Sequence, residues 1–298
     1  MRDAAQLAET GLPPLPERLA RPVIDSHTHA DTTTDYTGLS AADNLALAAA
    51  VGITRVVQVG CDVDGIEYAV DLARSTPGVV ATVAIHPNDA ARASDAELDE
   101  HLARVGELAT AGPFVRGIGE TGLDYFRTTT DEGRDRQRRS FERHIELAIA
   151  HDLTLVIHDR EAHDDVLDVL DATGLPPRIV MHCFSGDADF ARECLDRGAW
   201  LSFPGVVTYG SAKPQREALA ITPHDRILVE TDAPFLTPVP ARGKKNAPYV
   251  LAHTVRFVAD QIGLDEATFC DLLVANTFAA FGGPWDELAT PDPERMPA

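Results

Sequence analysis

The chain is expected to be a single-domain α/β protein, a closed parallel (β/α)8 barrel of the TIM type. Three observations predict it. Short Val- and Ile-rich runs alternate eight times with stretches of helical periodicity. The runs are apolar almost throughout, as strands covered on both faces must be. Metal-binding side chains close or follow several of the runs, and a closed barrel brings all its strand ends to one rim. An open doubly wound sheet is the alternative. It collects ligands at one switch point and does not easily unite polar residues from the first, fourth, fifth, sixth and eighth strands.

The elements follow in order. Leu12-Pro13-Pro14-Leu15-Pro16 marks residues 1–20 as an extended N-terminal tail. Strands are expected over 23–27, 55–59, 79–85, 114–119, 153–158, 178–182, 200–202 and 226–230. Helices are expected over 41–51, 66–74, 95–108, 134–150, 162–170, 187–197, 214–220 and 248–261, with a last one over 265–278. The barrel therefore occupies 21–282, and the Pro- and charge-rich 283–298 form a C-terminal tail.

Composition narrows the function. With 298 residues, 44% of them hydrophobic, the chain can bury a full core. No apolar run approaches the ~20 residues of a membrane helix, and the N-terminus lacks the basic segment and apolar core of a signal peptide. Cys61, Cys183, Cys194 and Cys270 are irregularly spaced and read as reduced thiols. A cytoplasmic protein without a membrane partner is expected; oligomeric state is open, with a monomer favoured. The net charge of -21 argues against gripping a long nucleic-acid backbone, which normally needs a basic face. Screening confines charge effects to about 8 Å, so a positive pocket can still exist within an acidic shell.

Six side chains form the candidate site: His27, His29, Glu120, His158, His182 and Asp232. Four imidazoles and two carboxylates are a transition-metal ligand set. His27 and His29 share strand parity, as does Asp25, which could orient one of the rings. A carboxylate ending an apolar strand is costly unless paired or coordinated, and Glu120 is the candidate bridge between two cations. Asp124 is either an acceptor behind a ligand or a loop cap. Glu230 and Asp232 share parity; Asp232, nearer the rim, is the better ligand and base. His86, which ends the third run, either contacts a substrate phosphate or fills the mouth. Arg242, Lys244 and Lys245 follow the eighth strand, where barrels often bind phosphate, or else form a solvated loop. Arg134, Arg136, Arg138, Arg139 and Arg143 read as a helix face balanced by acids, with a nucleic-acid contact as the alternative. By parity Cys183 faces away from the ligands and packs.

These residues lie in motifs that span about 22–280: Asp25-Ser26-His27-Thr28-His29, Ala84-Ile85-His86-Pro87, Gly119-Glu120-Thr121-Gly122-Leu123-Asp124, Ile157-His158-Asp159-Arg160, His182-Cys183-Phe184-Ser185-Gly186, Glu230-Thr231-Asp232-Ala233-Pro234 and Arg242-Gly243-Lys244-Lys245-Asn246. In them the chain resembles the TatD-type metal-dependent hydrolases of the amidohydrolase-like superfamily. The resemblance implies a (β/α)8 barrel, divalent metal at the six positions named above, and phosphodiester hydrolysis, usually described as deoxyribonuclease activity. One departure is Asn246-Ala247-Pro248, where an acidic residue more often precedes the proline.

The chemistry expected is hydrolysis by a metal-activated water, with Asp232 as general base and Glu120 at the metals. Two divalent ions are expected. Four imidazoles suit Zn, Mn, Co or Ni better than Mg, whereas the nuclease activity implied by the resemblance is usually discussed with Mg. The expected partner is DNA or a short oligonucleotide, cut near its ends. A carbonyl hydrolase acting on a small amide or ester, and an inactive metal-binding scaffold, are the rival readings.

Overall fold

The computed structural model describes Leu7 and residues 9–285. Tail positions 1–6, 8 and 286–298 lie outside the described residues. Eight strands pair in parallel and in sequence order. They are β1 (Val23–Thr28), β2 (Ile53–Gly60), β3 (Val79–Val83), β4 (Val115–Asp124), β5 (Thr154–Arg160), β6 (Ile179–Met181), β7 (Trp200–Phe203) and β8 (Ile227–Val229). The ring closes beyond β8, where Ala233 bridges Thr28 in parallel. There the Asp232 N–H donates to His27 O at 3.0 Å and the His29 N–H to Ala233 O at 3.1 Å. One barrel results, as the alternating pattern predicts.

The helices are α1 (Ala30–Thr37), α2 (Ala41–Ala50), α3 (Val63–Ser75), α4 (Pro87–Arg92), α5 (Asp95–Leu108), α6 (Asp131–Ala150), α7 (His163–Thr173), α8 (Ala188–Asp196), α9 (Lys213–Ile221), α10 (Leu251–Ile262) and α11 (Glu266–Ala280). Local chemistry sets many of their starts. Ser94 and Glu97 form a capping box on α5, while Asp62, Thr130 and Asp187 cap α3, α6 and α8. Helices α1 and α4 were not expected from the sequence. Both are short and polar, so neither carries the apolar period by which a helix is recognised.

Two apolar layers hold the barrel. Ile24, Val57, Val59, Val80, Val156, Val180 and Leu228, from strands around the ring, join Phe281 and Trp285 in one cluster. Side chains from so many strands can meet only in the lumen. A larger cluster fills the space between strands and helices. Each fully buried aliphatic side chain contributes roughly 1.5–3 kcal/mol.

Both assigned tails touch this body. Leu7 and Leu12 are buried, the Lys245 N–H donates to Gly11 O at 3.2 Å, and the Tyr249 hydroxyl donates to Pro13 O. At the other end Trp285 is buried edge-on to Phe278. Residues 9–11 finish a helical turn and 12–20 run without regular structure against the barrel, and 283–285 belong to the barrel's floor.

Candidate metal centre

Strand β1 delivers the first two imidazoles. Its pairing with β2 shifts register between Asp25 and Thr28, so strict alternation fails at the point where it was used to place Asp25. Asp25 does not orient a ring. Its two oxygens accept from the Thr231 N–H at 2.9 Å and the Thr231 hydroxyl at 2.6 Å, tying β1 to the chain after β8. The His29 Nδ1 lies 3.1 Å from Val59 O. Donation there leaves the Nε2 lone pair aimed inward, 3.2 Å from His27 Nε2.

Glu120 sits inside β4 rather than at its end. The β4–β5 register shifts between Ile118 and Thr121, and such an irregularity re-aims a side chain. Gly119 makes the local path possible, since a Cβ there would stand 2.4 Å from Val156 Cβ. The carboxylate is almost fully buried and faces two groups of imidazoles. Oε2 is 3.5 Å from His27 Nε2 and 3.9 Å from His29 Nε2. Oε1 is 2.6 Å from His158 Nδ1, 3.4 Å from His182 Nε2 and 3.5 Å from His86 Nε2.

His158 lies within β5, and His182 directly follows β6. Glu230, completely buried, places an oxygen 2.9 Å from His182 Nδ1, though not aligned as a hydrogen bond, and accepts from the Cys183 N–H at 2.8 Å. Asp124 is the loop cap, and it stands behind a ligand without a hydrogen bond to it. One oxygen accepts from the Arg127 N–H at 2.8 Å. The other accepts from the Asn88 amide at 3.0 Å and lies 3.4 Å from His158 Nε2. Asp232 has a left-handed backbone, φ 52°, a conformation Asp tolerates better than most residues. Its Oδ1 stands 3.4 Å from His29 Nε2, 3.9 Å from His27 Nε2 and 4.0 Å from His182 Nε2. All six expected ligands therefore converge.

His86 joins them in a different capacity. Its Nδ1 accepts the Asn88 N–H at the start of α4, which leaves the proton of a neutral ring on Nε2, facing Glu120. His86 thus stands at the edge of the cluster with Nε2 3.5 Å from Glu120 Oε1.

The donor set fits a divalent cation. Four donors about 2.1 Å from one ion are separated by roughly 3.4 Å. The contacts among His27, His29, Glu120 and Asp232 run from 3.2 to 3.9 Å. His27 and His158 turn Nε2 and Nδ1, respectively, into the cluster. The electrostatics agree. Burial opposes charge on His29 and His158, yet Asp232 and Glu120 hold the first, and Asp124 and Glu120 the second, at about 9. Burial likewise opposes ionisation of Glu120, but His182, His86 and His158 keep its pKa well below the carboxylate range. His27 alone is pushed down, by burial and by His182. The carboxylates demand positive charge here, and a bound cation would provide it.

The cluster opens into a cavity of about 640 Å³. Cys183 lines it, contrary to the parity argument: β6 ends at Met181, and Cys183 turns with φ 47°. Arg242 and Lys244 do not line it. Arg242 stacks 4.3 Å from the Tyr209 ring, and the Lys244 N–H and C=O bond to Ala241 and Thr237. The basic stretch of α6 is largely spent on carboxylates: Arg136 pairs with Glu132, Arg138 with Asp165, Arg139 with Asp99 and Arg143 with Glu146. The cations at the cavity are Arg92, Arg127 and Arg160; the sequence reading quoted Arg160 in a motif without a role and did not name the other two. A usable signal existed, because residues at or just after a strand's C-terminal end border the mouth, as Arg160 and Arg127 do. Cys61 was also missed; its Sγ lies 3.7 Å from Glu120 Oε2.

Comparison with known proteins agrees with this geometry. The sequence model of the family described as "TatD related DNase" matches residues 24–282. The chain is 38% identical over 266 residues to the uncharacterized metal-dependent hydrolase TatD of Mycobacterium tuberculosis, covering 88% of this chain and 99% of that one. It is 36% identical over 245 residues to the uncharacterized metal-dependent hydrolase YcfH of Escherichia coli K12, covering 80% and 87%. The crystal structure of YJJV, a TatD homolog from Escherichia coli K12, superposes with a TM-score of 0.80 at 25% identity over 88% of this chain and 98% of that one. No described helix is long and apolar enough to cross a membrane. With six ligand-grade side chains gathered at the mouth of a (β/α)8 barrel and a family match along nearly its whole length, this chain belongs to the TatD family of metal-dependent hydrolases.

Proposed function

We propose that this hydrolase cleaves phosphodiesters, as a deoxyribonuclease acting near DNA ends, with two divalent ions held by His27, His29, Glu120, His158, His182 and Asp232. The observation that carries the two-ion reading is the divided carboxylate of Glu120. Oε2 faces His27 and His29, while Oε1 faces His158 and His182. The family description supports the nuclease reading.

Bound divalent metal would supply a water acidic enough to ionise near neutral pH and would stabilise charge on the phosphoryl oxygens. The chain's own groups do the rest. Asp232, held ionised by His29 despite its burial, accepts the water's proton at Oδ1. The water oxygen bonds to phosphorus as the ester P–O bond breaks, and the leaving oxygen departs as the alcohol with the proton that Asp232 accepted. Glu230 and Asp124 place negative charge behind the rings of His182 and His158, at 2.9 and 3.4 Å. His86 presents its Nε2–H to Glu120 and to oxygens arriving beside it.

The test is a metal series. The purified protein is assayed with Mg, Mn, Co or Zn on a small diester, on labelled oligonucleotides, and on ester and amide panels, with bound metal counted in parallel. Diester cleavage at two ions per chain is expected. Carbonyl turnover without diester cleavage would replace the phosphodiesterase reading with the carbonyl one.

A further inference from the structure

Exposed apolar side chains are not spread evenly over the barrel. Among the described residues the exposed aromatics are Tyr36, Phe126 and Phe235. Tyr36 lies in α1, after β1; Phe126 follows β4, and Phe235 follows β8. Segments that leave a strand's C-terminal end border the mouth, so all three stand on the mouth face. The exposed aliphatics Ile149, Leu175 and Ile221 lie at or just beyond the C-terminal ends of α6, α7 and α9, on the other face. Two of the mouth aromatics carry a cation. The Arg160 guanidinium lies 3.9 Å from the centre of the Phe126 ring, and the Lys245 ammonium 5.3 Å from that of Tyr36. Exposed rings interleaved with basic groups are the means by which proteins hold single-stranded nucleic acid.

Phe235 differs from the other two. It lines the cavity and is half exposed, and among the described residues no ring or cation stacks on it. Its N–H donates to Asp232 O at 2.9 Å, which sets the ring one turn beyond the proposed base. The buried Asn246 braces this turn, its amide donating to Thr231 O and Phe235 O. Leu236, next in the chain, keeps a left-handed backbone, φ 58°. That conformation is uncommon for a bulky residue and clusters where a site overrules local preference. The segment after β7 backs this one. The Tyr209 hydroxyl donates to Thr237 O and the Val239 N–H to Thr208 Oγ1, both at 2.9 Å, and a Cβ on Gly205 would stand 2.2 Å from Leu236 O. Pro204, Val206, Phe235 and Leu236 thus form an apolar lining in the cavity that holds the metal cluster.

We infer that Phe235 is a stacking platform for a nucleobase: the base of the nucleotide whose phosphate reaches the cluster lies on the Phe235 ring, within the lining of Leu236, Val206 and Pro204. This deepens the phosphodiesterase reading above and rests on it. Charge supplies the reason. With a net charge of -21, the protein gains little from gripping many phosphates. Stacking needs no charge and accepts any base, since every base has a π face. The cavity, about 640 Å³, is of small-molecule size and has room for the last nucleotide of a strand.

The test separates base from phosphate. Deoxyadenosine monophosphate and deoxyribose phosphate share sugar and phosphate, differ in the base, and hold no diester to be cut. Each is titrated calorimetrically into the metal-loaded protein at low and high salt. The parent should bind the nucleotide about tenfold more tightly, a gap that salt leaves unchanged. Phe235→Ala should close the gap by weakening the nucleotide alone, and Phe235→Tyr should keep it. Val239→Ala, which trims an exposed side chain of the same segment outside the cavity, should change neither affinity. In Phe235→Trp the new indole should be quenched by the nucleotide and not by the sugar phosphate, a signal that a purely structural ring would not give. Thermal melting checks that each variant is folded. Equal affinity for the two ligands in the parent, or an undiminished gap in folded Phe235→Ala, would overturn the inference. Its fate is separable from that of the phosphodiesterase reading. A parent that cleaves diesters but shows no gap loses the platform alone; one that shows the gap yet cleaves no diester loses that reading and keeps the platform.

Discussion

The two ends of the barrel solve opposite problems with the same strands. At the floor, Ile24, Val80, Val156, Val180 and Leu228 meet Phe281 and Trp285. There apolar shape holds the structure together, and the Trp285 indole N–H still reaches Gly78 O at 3.4 Å. At the mouth, two to four residues further along, the side chains are His27, His158, His182, Glu230 and Asp232. Imidazole nitrogens lack partners, and Cys183 and Asp232 hold left-handed backbones. The mouth breaks several local rules, which is the mark of a site kept for chemistry at a cost in stability. One strand can serve both purposes because stability and catalysis occupy its opposite ends.

The contrast breaks if a mouth residue turns out to matter mainly for stability. Asp232→Asn is the sharpest trial. It should cut turnover by ~100-fold or more while thermal unfolding of the metal-loaded protein stays close to that of the parent. An amide can still donate a lone pair, but it is a poor acceptor for the water's proton. A variant that retains more than about a tenth of the parental rate would remove Asp232 as base.

The mirror-image trial is at the floor. Trp285→Ala should destabilise by about 3–5 kcal/mol, read from denaturant unfolding, and leave kcat near the parental value at a temperature where the variant is folded. A large loss of kcat in folded protein would show that the ends are not independent.

Gly119 lies where the two regimes meet. An added Cβ would press on Val156, a lumen residue, next to Glu120. Gly119→Ala should therefore lose both stability, by about 1–3 kcal/mol, and metal affinity, the second read by competition with a chelating dye. Loss of only one would locate the boundary more narrowly.

The smallest effect concerns pH. His144 of α6 is fully buried; its Nε2 accepts the Ile85 N–H at 3.3 Å and its Nδ1 meets the Thr121 hydroxyl at 2.8 Å. Burial pushes its pKa down from 6.5 to about 3. The folded state therefore keeps the ring neutral over a range in which the unfolded chain takes up a proton. Its stabilising contribution is intact above pH 6.5 and is lost as pH falls toward 3, by at most about 1.4 kcal/mol per pH unit. In His144→Gln this part of the pH slope of unfolding should vanish. An unchanged slope would assign acid sensitivity wholly to the mouth.

Much of this was legible in residue order. His27, His29, Glu120, His158, His182 and Asp232 could be named because an imidazole or carboxylate that ends an apolar run is costly there unless it is paired or coordinated. The short polar helices α1 and α4 were not legible, since no apolar stripe announces them. The place of Glu120 inside β4 and the role of Asp25 escaped, because both go with register shifts against a neighbouring strand, which period-two reasoning within one strand cannot register. Arg242 and Lys244 satisfied a positional rule, yet they sit apart from the cavity, one stacked on Tyr209.

Alternating apolar periods by themselves determined that this chain is an eightfold βα barrel, and the order of six ligand-type side chains determined that its rim would gather a set of residues able to hold metal. Those are properties of order along the chain. Which oxygen of Glu120 faces which imidazole, that His86 stands beside Glu120, and that Arg127 and Arg160 line the cavity while Arg242 and Lys244 do not were decided only by the tertiary structure. The reason is physical: each depends on side chains from strands far apart in the chain standing within hydrogen-bonding or coordination reach of one another, and that proximity comes into being only when the ring closes.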